Sequence, residues 1–188
     1  MLSTVYFMDL RTSAKEPNFK KFVCLVLSLL MIGIISPARA ADLTVDQLKN
    51  SQYLIPSWEN PDQGEWVQLQ NGEYTRRNPD NPLFVNVVKM ALGPLSKNQA
   101  KDAAVIYAYN TGGSGFFMML GAVINDQGSP RQIASTDLGD RVKINSLSIK
   151  SGKIIIDLVV HGPNDPACCP TVKKIATYAL VGNKLVEE

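Results

Sequence analysis

The chain's only histidine, His161, precedes two adjacent cysteines, Cys168 and Cys169, in the stretch HGPNDPACCPTVKK. These residue types allow three chemistries. A thiolate becomes a useful nucleophile when a neighbouring imidazole lowers its pKa, so His161 and Cys168 could form a thiol nucleophile, although no third group that would orient the imidazole is evident. His161, Asp165, Cys168 and Cys169 could instead hold a metal. Adjacent thiolates fit poorly on two corners of one tetrahedral ion and match none of the usual zinc spacings, so copper(I), which prefers soft sulfur, is the better candidate. Third, the two cysteines can pair with each other. Neighbouring Cα atoms stand about 3.8 Å apart across a trans peptide, closer than in ordinary disulfides, so such a bridge is strained and reducible. It would either lock the loop between Val160 and Val172 or serve as a redox switch. An oxidising compartment makes pairing the default, with free thiols as the alternative.

Other stretches offer less. In NTGGSGFF, the residues Gly112, Gly113, Ser114 and Gly115 form a candidate binding loop whose backbone amides could make a small anion nest. No helix is predicted after it, so it is neither a phosphate loop nor a dinucleotide fingerprint, and the simpler expectation is a flexible hairpin connection. Asp137, Asp140 and Arg141 in DLGDRVK read as a turn with solvated charges. Met118 and Met119 alternate sides on a strand and read as core filler. No Ser-His-Asp set and no cofactor motif is present, so no catalytic residue is assigned and no cofactor is expected.

The chain's ends indicate the compartment. Lys20 and Lys21 precede an apolar run from Phe22 to Ile35, then Pro37 and the small residues Ala38 and Ala40. That order predicts a secretory signal peptide over residues 1–40, cleaved after Ala40, with Met8 as an alternative start. The run has 14 residues, short of the roughly 20 a bilayer span needs, so no membrane span is expected after cleavage. Of 19 Lys and Arg and 17 Asp and Glu, five and two fall in residues 1–40, which leaves 14 against 15 in residues 41–188. No basic run exceeds two residues there, which argues against nucleic acid as a partner. The expectation is a bacterial periplasmic or secreted protein whose partner is an unidentified cell-envelope protein or ligand.

Residues 41–188 read as one β-rich domain of about the size that supports a single core. Thr44 caps a short helix in LTVDQLKN, and everything afterwards reads as strand. Asn71-Gly72, Ser151-Gly152 and Gly182-Asn183 read as hairpin turns, with a longer loop around Gly128. In SLSIKSGKIIIDLVV the turn sets Ile149 opposite Ile154 and Leu147 opposite Ile156, and continued regularly it sets Asn145 opposite Leu158. Apolar residues on both faces of several strands predict a single antiparallel meander of about 8 to 10 strands, strongly curled or closed as a barrel or sandwich. WENPDQG, residues 58–64, is the expected mobile loop.

Three blocks, DAAVIYAYNTGGSGFFMMLGAVIN, LGDRVKINSLSI and HGPNDPACCPTVKKIATYAL, together resemble a group of bacterial exported proteins with no assigned reaction. The likeness extends upstream to LKNSQYLIP and VQLQNGEY, and the Cys-Cys-Pro block is its most specific part. Members often carry an Asp-rich loop similar to calcium-binding loops ahead of the alanine-containing strand. Here the corresponding text is GPLSKNQAKDA, in which Asp102 alone matches a ligand position, so the resemblance implies no calcium site. The combined expectation is a non-enzymatic exported domain that binds or scaffolds an envelope component, with a thiol-redox or copper protein as the alternative.

Overall fold

The computed structural model describes residues 41–57, 63–96 and 101–188. The expected signal peptide and most of the expected mobile loop therefore lie outside the described residues. Of the described residues, 63% are in strands and 4% in helix. The helix, α1 (Val45–Lys49), starts where Thr44 predicts: Thr44 Oγ1 accepts from Gln47 N at 3.2 Å, and Gln47 Oε1 accepts from Thr44 N at 2.9 Å. This reciprocal cap satisfies two amides that a one-and-a-half-turn helix could not satisfy internally.

Among the described residues, eleven strands follow in three antiparallel sheets. A ribbon pairs β1 (Gln52–Pro56) with β2 (Gly64–Gln68). The central sheet holds β3 (Glu73–Arg76), β4 (Leu83–Gly93), β5 (Asp102–Asn110), β6 (Phe117–Asp126) and β7 (Ser129–Asp140) in sequence order. The third sheet holds β8 (Lys143–Lys150), β9 (Lys153–Val160), β10 (Val172–Val181) and β11 (Lys184–Glu187), also in sequence order. The meander is thus divided among sheets that face one another in a sandwich-like arrangement, and none is strongly curled or closed.

Strand β5 explains why both faces of the central strands are apolar. All nine of its residues are buried. Ala103, Val105, Tyr107 and Tyr109 pack with Leu48 of α1 and with Tyr53, Ile55 and Val67 of the ribbon. Ala104 and Ile106 point the other way, onto Ile154, Ile156, Leu158 and Tyr178 of the third sheet. The central sheet is a middle layer with a core on each side, and Met118 and Met119 fill one core each, as alternation on a strand requires. All buried residues of both cores lie between Leu43 and Tyr178, inside the compact unit Arg39–Glu188, which therefore carries its own interior.

Three details depart from the sequence reading, and the setting of Asp102 adds to it. The β8–β9 register holds from the turn to Ser146 opposite Asp157, then Ile144 rather than Asn145 lies opposite Leu158. Asn145 is bulged out and its Nδ2 donates to Asp157 Oδ1 at 2.9 Å. The one-residue slip turns Ile144 inward, and a regular ladder would have buried Asn145 in its place. Asn71 and Gly72 do form a positive-φ turn, but its arms continue into different sheets and only the bridge Gln70–Glu73 joins them. Gln127 and Gly128, both at positive φ, close β6 onto β7 as a two-residue turn rather than a long loop. Asp102 is fully buried and accepts from Leu95 N, Ser96 N, Ser96 Oγ and Asn125 N at 2.7–2.9 Å, so its oxygens hold the approach to β5 in place of a cation.

Candidate functional site

Antiparallel order places three connections at one end of the sheets: residues 111–116 between β5 and β6, residues 141–142 between β7 and β8, and residues 161–171 between β9 and β10. They come from the three sequence blocks quoted above. Each connection is organised by one polar side chain, and one arginine ties them together.

The glycine-rich loop wraps around Asn110, the last residue of β5. Asn110 Nδ2 donates to the carbonyls of Gly113 at 2.7 Å and Gly115 at 2.5 Å, while its Oδ1 accepts from Gly112 N at 2.7 Å. Gly112 has φ of 91°, and a Cβ there would stand 2.5 Å from Pro82 Cγ, so both backbone conformation and space demand glycine. The neighbouring carbonyls turn toward Arg141: its guanidinium donates to Ser114 O, and its backbone N–H donates to Phe116 O at 2.7 Å. Four successive carbonyls, those of Gly113, Ser114, Gly115 and Phe116, thus accept hydrogen bonds from Asn110 and Arg141. Gly112, Gly113, Ser114 and Gly115 lie in the hairpin connection between β5 and β6, as the simpler expectation has it.

The cysteine loop is organised by Asp165. Its carboxylate accepts from Gly162 N, Thr171 N and Thr171 Oγ1, each at 2.8 Å, which closes the loop at its base. The Gly162 amide, followed by the Thr171 hydroxyl, holds the Asp165 carboxyl below the usual carboxylate range, with further help from nearby His161. Cys168 and Cys169 are joined by a disulfide across adjacent residues, with Cα atoms 3.8 Å apart, and both are exposed. Cys169 N donates to Pro166 O at 2.9 Å. Of the sequence-predicted residues, Cys168 and Cys169 pair as the default reading holds. His161 and Asp165 share their loop, but the sulfurs are joined to each other and Asp165 is occupied by the loop's own donors. Among the described residues no group of three His, Cys, Asp or Glu side chains is arranged to hold a metal.

Arg141 joins the two loops. Besides Ser114 O it donates to Ala167 O at 3.0 Å, one residue before the disulfide, and it pairs with Asp140. Asp140 Oδ1 in turn accepts from Phe116 N at 2.7 Å. The Arg141 side chain is 23% exposed, and its backbone sits at φ of 50°, a conformation uncommon for arginine. Sequence reasoning took Arg141 for a solvated charge and overlooked Asn110; the positive-φ turn after Gly139 was the available signal. Phe116 projects from the junction at 49% exposure. A separate groove of about 420 Å³ is lined by residues that include Pro56, Arg76 and, from the glycine-rich loop, Thr111. Chemically the junction is a rigid, largely neutral platform with an exposed aromatic ring and an exposed disulfide.

Comparison with protein-family models, with curated proteins and with solved structures finds no match.

Proposed function

We propose that the chain is a non-enzymatic exported domain that binds a component of the bacterial cell envelope through the junction around Arg141. The observation that carries this reading is the fastening of two loops, from different sheets, onto one guanidinium next to an exposed phenylalanine in the glycine-rich loop. Aromatic residues held on preorganised loops are efficient binding anchors because little freedom remains to be lost on association. The resemblance to bacterial exported proteins supports the compartment, and its three blocks are the ones that converge at this end.

The test is site-specific photo-cross-linking in cells, with the probe at Phe116 and, as control, at Gly128 in the turn at the opposite end. A discrete adduct from position 116, lost in Arg141→Gln and missing from position 128, is the expected result. Equal labelling from both positions, together with turnover in an unbiased hydrolase screen, would overturn the reading. A second reading, thiol–disulfide exchange, is favoured by the exposure of the Cys168–Cys169 bridge. Undiminished cross-linking in the double variant Cys168→Ser, Cys169→Ser would remove the cysteines from the function.

A further inference from the structure

The outer face of the third sheet has a composition that neither the fold nor the junction requires. Register places its residues in rows across the strands. At one end Lys143 lies opposite Val159, which lies opposite Lys173. Six residues along, about 20 Å away at the usual strand rise, Lys150 lies opposite Lys153, and Lys184 stands on β11 opposite Val181, one step beyond that row. Between these cationic rows the register sets Ser146, Asp157 and Ile175 in one row and Ser148, Ile155 and Thr177 in the next, and Ile175 is 73% exposed. Val186, in the row of Lys153, and Val181, one step beyond it, add further exposed apolar side chains.

All five lysines are exposed. The acidic residues on the face are each engaged: Asp157 accepts from Asn145, and Glu188 pairs with Lys153 at 2.6 Å. Residues 41–188 hold slightly more acidic than basic side chains, yet this one face gathers five lysines against two carboxylates. Long lysine arms beside exposed isoleucine and valine side chains suit a surface that is anionic outside and apolar beneath, since the ammonium groups reach the headgroups while the aliphatic side chains meet the acyl boundary.

We propose that this face docks on an anionic phospholipid surface. The docking face uses none of the junction residues, so it stands or falls independently of the binding role proposed there.

The test is vesicle co-sedimentation of the chain from Ala41 onward, with phosphatidylcholine vesicles and with vesicles containing about one-third phosphatidylglycerol. The expected result is binding to the anionic vesicles alone, weakening as salt is raised. A lysine near such a surface contributes about fivefold in affinity, so Lys143→Gln with Lys173→Gln should bind about 25-fold more weakly. Ile175→Asn should also weaken binding, and Lys49→Gln in α1 should not. All these positions are exposed, and matching thermal melts will establish that each variant is folded. Equal binding to both vesicle types, or a double lysine variant within twofold of the wild type, would overturn the proposal. So would tight capture of a soluble polysulfate that Ile175→Asn leaves unchanged, which would make the face a polyanion site.

Discussion

Replacing Arg141 by glutamine is the sharpest test of the junction. The substitution keeps a polar side chain but removes the charge and the fork that spans Ser114 O and Ala167 O. A hydrogen bond from a charged donor is worth roughly 1.5–3 kcal/mol when buried, and partial exposure of Arg141 reduces this to about 1 kcal/mol for each carbonyl. The Asp140 pair adds little at the surface. The total, about 2 kcal/mol, is lost from the folded state and should lower the urea midpoint accordingly; because neither core contains a residue of the two loops, the loops also open more readily by themselves. Hydrogen exchange reads such local opening directly. The Phe116 amide, bonded to Asp140, and the Cys169 amide, bonded to Pro166 O, should each exchange about fivefold faster, since one carbonyl holds each loop to Arg141. Acceleration confined to one loop would refute Arg141 as the link between them. Unchanged rates in both loops would refute the claim that it fastens either.

Three further outcomes follow from the geometry. The Asp165 carboxyl ionises at a lower pH in the folded loop than in the unfolded chain, so its stabilisation is complete above about pH 4 and disappears as the pH falls through the folded value; thermal melts of Asp165→Ala should lack that acid limb, and parallel profiles for variant and wild type would contradict the assignment. A bridge between adjacent residues closes the smallest loop and constrains the unfolded chain little, so Cys168→Ser with Cys169→Ser should cost about 1 kcal/mol, measured as the urea midpoint with and without reductant; equal midpoints would count against it. Asp102→Asn sets an amide donor against the donors that Asp102 now satisfies and should cost about 2 kcal/mol, and an unchanged urea midpoint would show that those bonds contribute nothing.

Strand content, the Thr44 cap and the positive-φ turns at Ser151-Gly152 and Gly182 were legible because each depends on neighbours in sequence. The division into sheets was not. Apolarity on both faces of a strand records that both are covered, and it is the same whether the cover is the strand's own sheet closing round or two other layers. The β8–β9 bulge shows the limit at finer scale: a turn fixes register only until a polar residue such as Asn145 meets the core side, and slipping by one residue then costs less than burying it.

The functional surfaces divide along the same line. The Cys168–Cys169 bridge was readable because its partners are adjacent, and Gly112 to Gly115 stood out by composition. Their shared dependence on Arg141 was hidden, since a charged residue in a turn looks solvated until the fold brings carbonyls to it. The lysine face was hidden more completely. A search for basic runs finds at most two consecutive cations in residues 41–188, yet antiparallel pairing sets Lys143 two strands from Lys173 and Lys150 beside Lys153. On a sheet, charge accumulates across strands rather than along the chain, so the absence of a basic run bears on helices and tails but leaves the charge of a sheet face undetermined until its register is known.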